Sequence, residues 1–383
     1  MGNAQTWSAR RILAPASALS ASLFLLVAVA AAQSGGGGQS GGGGLLPPAP
    51  PEAADATCVE KCLSLREVAE GGRIEVTGKH LGLVETVRFG GRAEAKALQP
   101  SESRVVAIVP KEAKSGKVTV IDAAGNRSTT SSVIEVAAAA AVQDAGSFRL
   151  REATAANPVA FFLGVKPAQV NYLFEAQGPT DIRVDVIHAG SGETVASIVE
   201  ESQQPFSANS ATWNGRRSDG RIARSGEYRF KVSPLSGGGQ SGGADFTFTD
   251  HRFPVGGRHT YGDGLGAGRD HMGQDIFAAC GKPIYAARAG TIQTSAYHGS
   301  AGYYVVVDGR KSSLDYVYMH LGRGGRPKEG QRVKTGELIG LNSDSGNASG
   351  CHLHFEIWSA PGWYEGGEPI DPTPLMKRWD RFS

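Results

Sequence analysis

Two short stretches of this chain, His271-Met272-Gly273-Gln274-Asp275 and His352-Leu353-His354-Phe355, have the residue types and spacing to hold a metal ion. Imidazole and carboxylate are ordinary zinc donors, and a site with three protein donors keeps a fourth position open for water or substrate. His320, at the end of an alternating apolar run, is a further histidine that could join them. Such a set can carry out metal-assisted hydrolysis, with a spare imidazole moving protons near neutral pH. Asp270 competes with Asp275 as the carboxylate, and Cys351 is a rival thiolate donor. Strand periodicity opposes the thiolate, because with His352 and His354 on one face, Cys351 and Leu353 fall on the other.

Strands must position these side chains. Runs at Gln274 to Ala278, Ile284 to Ala287, Gly290 to Gln293, Tyr303 to Asp308, Leu314 to His320 and His352 to Trp358 have the length and residue types of β-strands. Alternation places Tyr316, Tyr318 and His320 on one face of their strand, and His352, His354 and Glu356 on one face of the last. If these strands are neighbours, three histidines converge, and Glu356 can accept an imidazole N–H. His80, His188 and His298 read as surface or satisfied core residues, whereas His259, before the loop Gly262 to Gly268, is a weaker candidate for lining a groove. The loop lacks the lysine and the strand-and-helix frame of a phosphate cradle, so it reads as a mobile groove wall. Tyr303 and Tyr304 read as core packing, with one of them reaching the groove as the alternative.

The segments His271 to Asp275, Tyr318-Met319-His320-Leu321, Val333 with Gly336 and Ile339-Gly340, and Gly350 to Glu356 occur in one order, and together they resemble the signature of lysostaphin-type (LytM) zinc metallopeptidases over roughly the last third of the chain. The resemblance implies Zn2+ as cofactor and His271, Asp275 and His354 as metal ligands, the family spacing favouring Asp275 over Asp270. It implies His320 and His352 as an uncoordinated catalytic pair, one accepting a proton from water and the other steadying the oxyanion. The implied activity is a secreted endopeptidase cutting peptide stems or cross-links of bacterial peptidoglycan. A non-catalytic envelope scaffold or activator of another wall hydrolase is the alternative, since some relatives have lost ligands; retention of all five residues favours the enzyme. One departure is Ala279-Cys280-Gly281-Lys282-Pro283, where the family usually shows an apolar residue and a proline.

Upstream, Arg10 and Arg11 precede an apolar run from Ile12 to Ala32 that ends in small residues, the pattern of an export signal, with an uncleaved membrane anchor as the alternative. Glycine-rich tracts at Gln33 to Gly44 and Ser236 to Gly243 read as flexible linkers, so the C-terminal segment is expected to be loosely tethered. Between the tracts, short alternating runs punctuated by Gly and Asn read as antiparallel β. The pattern from Gly71-Gly72 to Asn126 resembles the IPT/TIG immunoglobulin-like domains. Trp213-Asn214-Gly215, Asp219-Gly220 and Gly226-Glu227-Tyr228 resemble the immunoglobulin-like module of flagellar hook-capping proteins, with Trp213, Tyr228 and Phe230 packing inward.

The expected fold is therefore mainly β: two immunoglobulin-like β-sandwiches followed by an antiparallel β-sheet zinc peptidase domain of the lysostaphin/LytM type. Its parts are a signal peptide or anchor (1–32), a Gly/Pro-rich linker (33–56), an IPT/TIG-like sandwich (57–140), a second sandwich (141–235), a Gly-rich linker (236–249) and the metallopeptidase domain (250–380). With 39 basic against 37 acidic residues and a net charge of +2, the chain has no electrostatic footprint for nucleic acid. Peptidoglycan peptides are the expected partner, membrane contact is confined to the N-terminal segment, and a monomer is the default. Export makes an even cysteine count a disulfide framework, most economically Cys58 with Cys62 and Cys280 with Cys351. The second bridge would clamp the loop after Asp275 to the start of the His352 strand.

Overall fold

The structure is a computed structural model that describes residues 48–142, 147–268 and 270–382. The expected signal segment 1–32 and most of the first linker lie outside the described residues. Three β modules follow one another. In the first, Glu52–Ser64, Glu67–Lys79, Val84–Gly90, Glu94–Lys96, Arg104–Ile108, Lys114–Asp122 and Arg127–Ala137 form one seven-stranded sheet around a single apolar core, with Arg104–Ile108 branching off by pairing with Glu67–Lys79. The Arg127–Ala137 strand pairs antiparallel with Lys114–Asp122 and then, through its last residues, parallel with Glu67–Lys79. Its first strand begins at Glu52, inside the stretch expected to be linker.

The second module is a sandwich of a four-stranded and a five-stranded sheet. Trp213, Tyr228 and Phe230 are buried together, as expected, and Phe246 and Phe248, from the stretch expected to be linker, join them. Trp213 Nε1 donates to the Arg216 carbonyl at 2.7 Å and the Tyr228 hydroxyl to the Arg224 carbonyl at 2.8 Å, so each ring keeps its apolar body inside without orphaning its polar tip.

The stretch 236–249 is not a linker. Gly239–Gln240 and Gly242–Thr249 are strands of this sandwich, the longer one lying between Gly226–Pro234 and Val159–Phe161. Glycine is there for close approach: a Cβ on Gly243 would sit 1.8 Å from the Phe230 carbonyl oxygen. Composition alone cannot distinguish that use of glycine from flexibility.

Nor is the C-terminal module loosely tethered. Thr335, fully buried, donates its hydroxyl to the Phe162 carbonyl at 2.7 Å and accepts from the Ala289 N–H at 2.9 Å. Arg288, 1% exposed, donates to the Asp250 carbonyl and lies over the Phe162 ring at 4.6 Å. The first two modules are fastened as closely, with Leu173 of the second buried in the core of the first and the Cys62 N–H bonded to the Phe206 carbonyl at 2.7 Å. The Cys58–Cys62 disulfide forms next to this junction.

The third module is built on an antiparallel sheet ordered His259–Tyr261, Gln274–Ala278, His352–Ser359, Leu314–Leu321, Gly302–Gly309, Gly290–His298 and Arg332–Val333. One face carries Tyr316, Tyr318, Leu353, Phe355 and Ile357 into the core, closed by Met376 and Trp379 of the Thr373–Asp380 helix. The opposite face is open to a groove. Across the central pair of strands, Met319 lies opposite His354 and Val317 opposite Glu356, so the register brings the polar side chains of the last strand to that open face.

Candidate metal centre

The last strand and its neighbour assemble the site by register. Asp275 lies directly opposite His354 on paired antiparallel strands, and Phe277 opposite His352. His271 reaches the same point from the turn before Gln274–Ala278. Its Nε2 is 3.1 Å from Asp275 Oδ1 and 3.0 Å from His354 Nδ1, and His354 Nδ1 is 2.9 Å from Asp275 Oδ1. Gly273 permits this approach, because a Cβ there would lie 2.4 Å from the Phe355 carbonyl oxygen and 3.0 Å from His354 Nε2. Asp270 is not part of the group.

The outward-facing nitrogens of the two rings are committed elsewhere. His271 Nδ1 donates to the Gly264 carbonyl at 2.9 Å, and His354 Nε2 donates to Glu356 Oε1 at 3.0 Å. A neutral imidazole has one N–H, so the inward nitrogens present lone pairs, and they face a carboxylate oxygen at hydrogen-bond distance. Three acceptors converging in this way repel one another unless a cation sits among them. His271, Asp275 and His354 therefore form a donor set that fits a metal ion. A proton competes with a metal ion for this position: burial lowers the proton affinity of His354, but Asp275 and Glu356 outweigh it and hold the group up to about 9, so metal binding must displace the proton on Nδ1. Burial opposes ionisation of Asp275, and the surrounding imidazoles, His354 first, still keep its carboxyl below the ordinary range.

Glu356, 3% exposed, is the hub behind the donor set. Besides His354 it accepts from Trp358 Nε1 at 2.6 Å and Trp363 Nε1 at 3.2 Å. The alternation that puts Glu356 on the donor face also puts Trp358 there, so that partner was legible; Trp363 comes from a later loop and was not.

His320 and His352 stand beside the donor set, their rings 4.5 Å apart. His352 Nδ1 donates to the Gly350 carbonyl at 2.9 Å and His320 Nδ1 to the Ser345 carbonyl at 2.8 Å, which leaves Nε2 of each as the basic nitrogen, that of His352 lying 3.7 Å from Asp275 Oδ1. Burial lowers the pKa of His320.

The expectation that alternation sets Tyr316, Tyr318 and His320 on one face does not hold. Tyr316 and Tyr318 point into the core, and strict alternation would send His320 after them. Instead, Tyr303 pairs with Leu321 but Val305 with Tyr318, so the His320 strand carries one extra residue, and His320 itself is left-handed with φ 59°. A β-bulge of this kind re-aims a side chain, here from the core to the groove face.

Other histidines differ from their sequence reading. His259 does not line the groove; its Nε2 is 3.1 Å from Asp380 Oδ2 and its ring packs on Phe253, fixing the C-terminal helix. His298, read as a surface residue, lines the groove with Tyr304, Met319, His320 and His354 in a cavity of about 480 Å³. The Gly262 to Gly268 loop, expected as a mobile wall, is fastened by Asp275 N–H to Asp263 O at 2.8 Å, Gly266 N–H to His271 O at 2.7 Å and the Gln274 side-chain amide. The Cys280–Cys351 disulfide joins the loop after the Asp275 strand to the residue before His352, as expected.

Residues 269–372 match Peptidase family M23. The peptidoglycan DD-endopeptidase ShyC of Vibrio cholerae is 39% identical over 89 residues, 23% of this chain and 20% of that protein. An L-Ala–D-Glu endopeptidase of Bacillus subtilis is 30% identical over 136 residues, 33% of this chain and 41% of that protein. The solved catalytic domain of lysostaphin from Staphylococcus simulans is 27% identical, covering 31% of this chain and 92% of its own, with a TM-score of 0.29. The match thus spans well under two thirds of the curated relatives' length and falls within the module that carries the donor set. The C-terminal module, over residues 269–372, is a peptidase family M23 domain.

Proposed function

We propose that this chain is a zinc-dependent endopeptidase of the cell envelope that hydrolyses peptide bonds in the stems or cross-links of bacterial peptidoglycan. The reading rests on one observation: His271 Nε2, Asp275 Oδ1 and His354 Nδ1 converge beside a groove, next to two further imidazoles, His320 and His352, whose Nδ1 atoms are held by backbone carbonyls. Two imidazoles and one carboxylate suit zinc. Bound there, the ion supplies Lewis acidity, which polarises a peptide carbonyl and acidifies a water.

The protein's own groups do the rest. His320 and His352 form the proton-handling pair, each locked in one tautomer by a backbone carbonyl, so one Nε2 takes the proton of the attacking water while the other imidazole hydrogen-bonds the developing oxyanion. Glu356 fixes the His354 ring by accepting from Nε2, so that the proton given up on metal binding is the one on Nδ1. The groove floor of Met319 and Tyr304 holds the extended peptide. The two disulfides suit an oxidising, extracytoplasmic compartment, and the upstream modules, which we read as immunoglobulin-like, would hold the catalytic module at the wall.

The test is zinc content together with release of soluble peptides from purified peptidoglycan by the full chain. Stoichiometric zinc with peptide release is the expected result. Stoichiometric zinc without cleavage of any wall type overturns the peptidase reading in favour of a scaffold.

A further inference from the structure

At one end of the groove the chain presents aromatic surface that neither the donor set nor the proton-handling pair uses. Tyr364 is 70% exposed, the highest exposure of a large apolar or aromatic side chain among the described residues, and it lines the same cavity as His320 and His354. Its ring stands at 72° to that of Trp363 with centroids 4.7 Å apart, so the two faces make an open corner. Trp358 backs Tyr364 at 5.5 Å, and Tyr304 packs on Trp363 at 5.5 Å.

This corner is built rather than incidental. Tyr364 is held in the left-handed region at φ 52°, a conformation that aromatic residues adopt only when the surroundings impose it. The surroundings do so. Trp363 N–H donates to Asp315 Oδ2 at 2.9 Å, its indole N–H donates to Glu356, and the Gly362 carbonyl accepts from both Glu365 and Gly367 at 3.1 Å. Gln293 ties Glu365 down at 2.9 Å. The turn thus holds an exposed aromatic ring at the edge of the cavity, where a ligand can cover it.

We propose that the Trp363–Tyr364 corner is a sugar subsite, stacking a pyranose ring of the wall glycan beside the groove in which the attached peptide is cut. A pyranose offers flat patches of C–H bonds edged by hydroxyl and amide groups. The corner has the complementary arrangement, an aromatic face with His298 and Ser300 lining the same cavity. An aliphatic peptide side chain would match the rings and waste the polar rim. The identity of the sugar's source rests on the peptidoglycan reading above; the stacking does not.

The experiment measures binding of peptide-free glycan oligomers, alternating N-acetylglucosamine and N-acetylmuramic acid, to the full chain by calorimetry. In parallel, kcat and KM are compared for a cross-linked stem peptide with and without its disaccharides. Saturable glycan binding is expected, weakened about five- to tenfold in Tyr364→Ala and retained in Tyr364→Phe. The preference for the sugar-bearing substrate should shrink by a similar factor in Tyr364→Ala, through KM rather than kcat. Absence of saturable binding to the parent chain, or equal binding by Tyr364→Ala, overturns the subsite, as does a fall in both substrates' rates with their ratio unchanged. If glycan binds in this Tyr364-dependent way but neither peptide is cut, the subsite stands and the peptidase reading falls.

Discussion

The two faces of the sheet in the C-terminal module are made by the same strands and do opposite work. On the core face Tyr316, Tyr318, Leu353, Phe355 and Ile357 are fully buried, and each such side chain contributes about 1.5–3 kcal/mol by leaving water. On the groove face the intervening positions of one strand hold His352, His354 and Glu356, which are 8%, 8% and 3% exposed. These groups lose hydration and offset that loss through hydrogen bonds to one another, to Asp275, to the Trp358 and Trp363 indoles and to backbone carbonyls. The core face therefore fixes the strands well enough for the groove face to hold repelling acceptors about 3 Å apart. Substitutions on one face should remove chemistry and leave the fold, whereas substitutions on the other should weaken the fold and leave the chemistry.

The largest effect is expected from His354→Ala, which removes one of three donors. Zinc measured after gel filtration should fall from one equivalent to near none, and peptide release should fall to background with the thermal midpoint of the metal-free protein little changed. His320→Ala separates proton handling from metal binding. Its zinc content should match the parent while kcat drops roughly 10²- to 10⁴-fold. Loss of zinc in His320→Ala would place that residue among the ligands and break the division between the two histidine pairs.

That division was only partly legible in the sequence. The shared face of His352 and His354 was readable because strand alternation is local, but the choice of His354 over His352, and of Asp275 over Asp270, as partners of His271 came from the family resemblance and not from spacing. His320 was readable as a residue type but not as a position, since the bulge and positive φ that carry it across the sheet follow from pairing with Gly302–Gly309, not from its own neighbours. The carbonyls of Gly264, Gly350 and Ser345, which set the tautomers, belong to backbone that any residue could supply. The same limit applies upstream. The aromatic core around Trp213 was evident from its spacing, but a glycine tract that serves close packing has the composition of one that serves flexibility.

A smaller loss is expected from Glu356→Gln, which keeps the shape and alters the proton logic. Trp358 and Trp363 both donate to this side chain, so the amide oxygen will face them and its NH₂ will face His354 Nε2. That nitrogen must then become an acceptor, which moves the ring proton to Nδ1, the nitrogen that faces the donor set. Zinc affinity in a competitive chelator titration should fall about 10- to 100-fold. Activity should return toward the parent value at saturating zinc. An unchanged affinity would mean that the carboxylate only supports the tryptophans.

The smallest effect on chemistry should come from the core face. Tyr318 is fully buried one residue before Met319, which lies opposite His354, and its hydroxyl oxygen accepts the Ala287 N–H at 2.7 Å. Tyr318→Phe leaves the ring's packing intact and orphans that buried N–H, which costs about 1–3 kcal/mol. Chemical denaturation should show this loss as a lower midpoint with an unchanged slope. Zinc stoichiometry and kcat should stay at parental values, because Tyr318 points away from the groove. If kcat fell with zinc retained, the two faces would be coupled through the strand. The bulge after Tyr318 would then be the place to look, since the positive φ that turns His320 toward the groove survives only while the preceding residues are held by the core.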